Sequence, residues 1–154
     1  MVKVYISSVI DAPAARIWEL LRDFNSLPNW HPAIADSRIE SNLPADKVGC
    51  IRNFNLKGGG NIREQLLSLS DYDYAYSYSI LVSPMGVENY VATLKLMPVT
   101  DGDRTFAEWT AEFDCPAERE AELARLIGQD VFQGGFNALK QRFAAGAMPA
   151  SARR

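Results

Sequence analysis

The chain has few of the residues that usually announce a chemistry. Among 154 residues there is one histidine, His31, and there are two cysteines, Cys50 and Cys115. A single histidine with no Cys/Asp cluster around it excludes the common zinc spacings. A serine-type triad would have to use His31, and no G-x-S-x-G accompanies it. The two cysteines lie far apart with no ligand spacing, so both are expected to be buried thiols of a cytoplasmic protein. There is no excess of basic charge: the net charge is −3 and the pI about 5.2, which argues against nucleic acid as the main partner. No apolar run approaches the roughly 20 residues that span a bilayer, and MVKVYISSVIDAP lacks the apolar region of a signal peptide. The glycine run Gly58-Gly59-Gly60 lacks the Lys-Ser/Thr of a phosphate loop. No metal and no cofactor is expected.

What is present is an ordinary globular composition, 47% hydrophobic and 23% charged, long enough for one domain with a real core. The domain is expected over residues 1–145, with 146–154 as a disordered tail. The most informative stretch is the last third. From Ala117 to Phe143 the apolar residues Leu123, Ile127, Val131, Phe132, Phe136, Leu139 and Phe143 recur at helical spacing, predicting one long helix. Pro116 suits its first turn and Asp114 a capping position just ahead of it. Gly134-Gly135 beside the apolar face implies that something passes close to the helix there, since each glycine costs a helix interior about 1 kcal/mol.

Everything earlier reads mainly as strand. The alternation and turn residues predict strands at Val2–Ile10, Ala35–Ser41, Val48–Leu56, Ile62–Leu69, Tyr74–Val82, Glu88–Val99 and Arg104–Asp114. A helix is expected over Ala14–Phe24, followed by the turn-rich link NSLPNWHP. The fold class is therefore α+β: a seven-stranded antiparallel curved sheet wrapped around a long C-terminal helix, with a short helical segment between strands 1 and 2. A meander curls because strands twist, and a curled sheet closed by one helix can leave a hollow.

The segments IDAPAARIWELLRDFNSLPNWHPAI, VGCIRNFNLKGGG, REQLLSLSDYDYAYSYSI, SPMGVENYVATLKLMPV, TFAEWTAEFD and GGFNALKQRF, taken in order, resemble the START-like, helix-grip (SRPBCC) superfamily. It includes polyketide cyclase/dehydrase-type proteins, Bet v 1-like plant proteins and plant abscisic acid receptors; the chain looks most similar to the bacterial polyketide cyclase-like members. The resemblance implies an apolar cavity under the long helix, entered past the turns Lys57–Asn61 and Ser83–Val87. In the receptors these turns act as a gate and a latch. Here the first lacks Ser-Gly-Leu-Pro and the second has Pro-Met-Gly in place of His-Arg-Leu, so a hormone-receptor role is not implied.

The candidate ligand-binding residues are His31, Phe54, Glu64, Tyr78, Tyr90, Trp109, Ala111, Phe113, Val131 and Gly135. His31 aligns with the receptors' lysine; protonated it would pair with an acidic ligand, neutral it would make one hydrogen bond. Glu64 aligns with a carboxylate that reaches polar ligands there, and must point away from Arg63. The aromatic group would line the concave face, with the small residues Ala92, Ala111 and Gly135 keeping space open. Met85, Gly86 and the three glycines at 58–60 are candidate moving parts. Three readings stay open. The first is binding of a small hydrophobic or amphipathic molecule. The second is a polyketide cyclase/dehydratase-type enzyme using acid–base residues in the same cavity. The third is an interaction module with a filled core. A homodimer is compatible with each.

Overall fold

In the computed structural model, which describes residues 1–144, strand β1 (Val2–Ile10) leads into helices α1 (Ala14–Leu21) and α2 (Leu27–Trp30). Six strands follow: β2 (Ile34–Ile39), β3 (Ile51–Leu56), β4 (Asn61–Ser70), β5 (Ala75–Val82), β6 (Glu88–Val99) and β7 (Arg104–Asp114). The described residues close with a helix of three continuous pieces, α3 (Glu120–Arg125), a π-helical stretch (Leu126–Gln133) and α4 (Gly134–Arg142). The expected tail over 146–154 lies outside the described residues. The strands form one antiparallel sheet in the order β1-β7-β6-β5-β4-β3-β2. This is the α+β helix-grip architecture. Among the described residues no helix is long and apolar enough to cross a membrane.

Period-two alternation decides which face each strand buries. Tyr90, Ala92, Leu94 and Leu96 of β6 and Ala107, Trp109, Ala111 and Phe113 of β7 all face inward. Irregular pairing at Ile34/Asp36, Arg63/Glu64, Leu66/Ser68 and Glu88/Val91 interrupts the ladders, and such bulges bend a sheet toward closure. Helix α1 is pinned outside the cavity: Trp18 Nε1 and Arg22 Nε both donate to Asp71 Oδ1, each at 2.8 Å.

The terminal helix departs from the single α-helix expected. Its buried large apolar side chains are Leu123, Ile127, Phe132, Phe136, Leu139 and Phe143. The second step in that series is five residues, too long for a 3.6-residue turn, and the π winding between Ile127 and Phe132 absorbs it. Phe132 thereby stacks on Trp109, with ring centroids 4.3 Å apart and planes 10° from parallel. Asp114 does not cap this helix. It accepts a hydrogen bond from Asn89 and lies 3.6 Å from the N-terminal ammonium, while Pro116 caps a 3-10 turn, Ala117–Arg119, that leads into α3.

Other boundaries shift for local reasons. Helix α1 stops at Leu21, short of Phe24. Strand β3 starts at Ile51, not Val48, because Gly49 takes φ 97°. Strand β2 ends before Ser41, which has φ 60°, and β5 begins after Tyr74, which has φ 53°. Cys50 is buried but Cys115 is half-buried; both are free thiols.

The two glycines of α4 differ. A Cβ on Gly135 would sit 2.9 Å from Trp109, 3.0 Å from His31 and 3.1 Å from Trp30, three rings of the interior. One on Gly134 would meet nothing nearer than the Gln129 carbonyl at 3.8 Å. Gly134→Ala should therefore raise stability by up to about 1 kcal/mol through helix propensity. Gly135→Ala should lower it by about 1–3 kcal/mol through overpacking. Urea unfolding of both variants checks the opposite signs.

Candidate functional site

Between the concave face of β3–β6 and the π-helical stretch lies a cavity of about 360 Å³. Its wall is largely apolar: Leu27, Ile34, Phe54, Leu56, Ile62, Ile80, Leu126 and Ile127 contribute. Only part of the interior is hollow. Toward β7 the space is packed solid, with Trp109 against Phe132 and Phe136, and Tyr90 against Phe113 at 5.8 Å between centroids.

The polar end of the cavity is a buried ion pair. Arg52 and Glu64 stand directly opposite each other on β3 and β4, both facing inward. Arg52 Nε and Nη2 reach Glu64 Oε1 at 2.8 and 2.7 Å, and Nη1 donates to the Phe24 carbonyl at 3.2 Å. The guanidinium carbon also lies 3.9 Å from the centroid of the Phe24 ring and 4.9 Å from that of Tyr78. Burial pushes the Glu64 carboxyl above its ordinary value, while the Arg52 charge beside it pulls the other way. Above the pair, the Trp109 indole N–H donates to the Tyr78 hydroxyl at 3.0 Å, and the Tyr78 and Tyr90 hydroxyls are bonded to each other. Burial raises both phenols, which therefore stay protonated at neutral pH.

His31 lines the cavity but both its ring nitrogens are occupied. Nδ1 lies 3.2 Å from the Ala33 amide, which can only donate, and Nε2 lies 2.8 Å from the Val131 carbonyl, which can only accept. The ring is therefore the neutral tautomer with its proton on Nε2. Its acceptor belongs to the π-helical stretch, so His31 fastens α2 to the wider turns of the terminal helix. Burial lowers its pKa, the Val131 bond opposes this, and the Arg52 charge lowers it further.

Two turns and the helix border the cavity at its edge. The β3–β4 turn brings Lys57, Gly58 and Gly59, the β5–β6 turn brings Met85, and the helix brings Asp130. The turns touch each other: a Cβ on Gly60, which has φ 111°, would lie 3.3 Å from Pro84. Arg119 ties the second turn to the helix start, Nη1 donating to the Met85 carbonyl at 2.6 Å while Nε and Nη2 reach Glu122. Gly86 is required there, with φ 81° and a would-be Cβ 2.8 Å from the Arg119 guanidinium.

Of the ten residues singled out in the sequence, His31, Phe54, Glu64, Tyr78, Tyr90, Trp109 and Val131 lie on the cavity wall. Ala111, Phe113 and Gly135 do not: the first two belong to the solid part of the core, and Gly135 lies beneath the Trp30, His31 and Trp109 rings. Arg63 points outward to Glu40 at 2.7 Å, opposite in face to Glu64. Sequence reasoning missed Arg52, Asp130 and Arg119, whereas Lys57 falls in the expected entrance turn. A charge at Arg52, on the strand face it shares with Cys50 and Phe54 two residues to either side, was the available signal for the first. Among the described residues no cluster of His, Cys, Asp and Glu is placed to hold a metal ion.

The sequence profile of the family described as polyketide cyclase / dehydrase and lipid transport matches residues 1–144. Among solved structures, the protein XoxI from Bacillus cereus is 28% identical, with TM-score 0.86 over 97% of this chain and 100% of its own. A protein from Thermobifida fusca is 30% identical, with TM-score 0.83 over 93% of each chain. One from Nitrosospira multiformis is 28% identical, with TM-score 0.76 over 99% of each. No curated protein matches.

Since His31 is the sole histidine, its titration can be followed by NMR without mutants. Its midpoint is expected below the ordinary 6.5. A ring harder to protonate folded than unfolded contributes stability that is lost as pH falls below about 6.5. A midpoint at or above 6.5 would contradict the neutral, doubly bonded ring.

Proposed function

The chain belongs to the polyketide cyclase / dehydrase and lipid transport family, and on that footing we propose that it binds a small, mostly apolar molecule in the hollow between its sheet and its terminal helix. The observation that carries this reading is the size and lining of the hollow. A largely apolar hollow of about 360 Å³ gives any water inside it few hydrogen-bond partners. An apolar guest takes the place of that water, and each side-chain-sized apolar group it buries contributes about 1.5–3 kcal/mol. The polar end orients the guest, and the glycine-rich turn beside Pro84 provides backbone freedom for entry.

Catalysis is the second reading. It is favoured by the Glu64 carboxyl, whose proton affinity burial raises, close to the Tyr78 and Tyr90 hydroxyls. Turnover of an aromatic polyketide mimic that disappears in Glu64→Gln would place this reading first.

Binding is tested with the neutral dye N-phenylnaphthylamine, whose fluorescence rises in apolar surroundings. Saturable uptake is expected, and Ile80→Trp, which fills the cavity from β5, should weaken it by about tenfold or more while leaving the circular dichroism unchanged. Absence of uptake by the natural chain, or uptake indifferent to Ile80→Trp, overturns the reading.

A further inference from the structure

We propose that the cavity selects a guest carrying a hydroxyl on an apolar skeleton, with that hydroxyl donating to Oε2 of Glu64. This rests on the binding reading above and gives it a chemical class. The polar groups at the inner end of the hollow, away from Lys57 and Asp130 at its edge, are nearly all engaged with one another. Arg52 donates through Nε and Nη2 to one oxygen of Glu64 and through Nη1 to the Phe24 carbonyl. Trp109 spends its only N–H on Tyr78. His31 spends its proton on Val131 and its lone pair on the Ala33 amide. The Tyr78 and Tyr90 hydroxyls share one hydrogen bond, which leaves one phenol proton of the two that a guest oxygen can accept. Both Arg52 contacts fall on Oε1, and Oε2 has no hydrogen-bond partner among the described residues.

Glu64 is only 6% exposed and forms part of the cavity wall, so Oε2 is an acceptor with no donor but a guest or solvent. Oxygen acceptors on a guest, such as an ether, a ketone or a carboxylate, would set lone pair against lone pair at this point. A hydroxyl supplies the missing proton, and a hydrogen bond to a charged oxygen in an apolar pocket is among the stronger neutral-to-ion contacts. The apolar wall around it excludes the competing water that would otherwise level the difference. The sign of this selection differs from the acid-pairing role that His31 would have as a cation. The histidine is neutral and fully bonded, and Oε2 of Glu64 is the buried acceptor left for a donating guest.

The test compares naphthol with methoxynaphthalene, which keeps the ring system and the oxygen but lacks the proton. Displacement of N-phenylnaphthylamine from the natural chain should show naphthol binding about ten- to hundredfold more tightly. Glu64→Gln, whose amide N–H₂ would face the guest once its oxygen takes the Arg52 contacts, should bring the ratio close to one. Should Glu64→Gln fail to fold, the carbon-13 shift of the Glu64 carboxyl in the natural chain decides. It should move on adding naphthol and stay fixed on adding methoxynaphthalene. Equal affinities, or a naphthol preference with an unmoved Glu64 carboxyl, overturn the selectivity and leave the binding reading standing. Failure of the dye and both naphthalenes to bind overturns both together.

Discussion

A full positive and a full negative charge are enclosed in this molecule, and its interior is arranged around keeping them together. Taking either ion out of water costs several kcal/mol, and that cost is offset only when geometry and additional hydrogen bonds are good. The sheet supplies the geometry. Arg52 and Glu64 are direct cross-strand partners, so the register of β3 on β4 is also the register of the ion pair. A slip of one residue would turn Glu64 outward and bring Arg63 in, leaving two cations inside. The Phe24 carbonyl and the Phe24 and Tyr78 rings complete the shell around the guanidinium. The link after α1 is thereby recruited to the same centre, although it lies on a different part of the chain.

The rest of the site follows from where that pair stands. It occupies one end of the hollow, so the remaining wall can be apolar without stranding a charge. The other end of the interior is closed by stacked aromatics on β6, β7 and the helix. This division explains how a chain with so many buried rings still keeps a cavity. The ring stacks with Phe113, Phe132 and Phe136 fill one side, and on the other aliphatic residues such as Leu27, Ile34, Ile62 and Ile80 share the wall with Phe54, Tyr78, Tyr90 and Trp109.

The succession of strands, the sheet faces and the position of the long helix were legible because each is written in local periodicity, whereas the pairing of β1 with β7 is not. Tyr76, Tyr78, Tyr90 and Trp109 fall inward by alternation alone. The less visible features depend on distant partners. His31 finds its acceptor a hundred residues later, so nothing near it in sequence shows that its nitrogens are spent. Arg52 looks like any strand charge until β4 is laid beside it. Val131 and Phe132 are adjacent and both apolar, and only the five-residue step from Ile127 to Phe132 shows which one the core takes. Ala111 and Phe113 share the inward face of β7, but the solid half of the core claims them. Gly135 was legible as a close approach, and the three rings beneath it are what approaches.

The wide winding of the helix midsection bears on how such chains tolerate insertions and deletions. An α-helix advances about 100° per residue, so the extra residue held in the π turns is a phase correction. Removing any one residue between Leu126 and Gln133 would let the helix revert to regular winding, but it would also shorten the path to Phe136, Leu139 and Phe143 by one step. Relatives that lack this residue would need a compensating change in the spacing of their buried side chains. Length variation at this point should therefore travel with altered cavity walls, because Leu126, Ile127, Asp130 and Val131 are the residues that the correction re-aims.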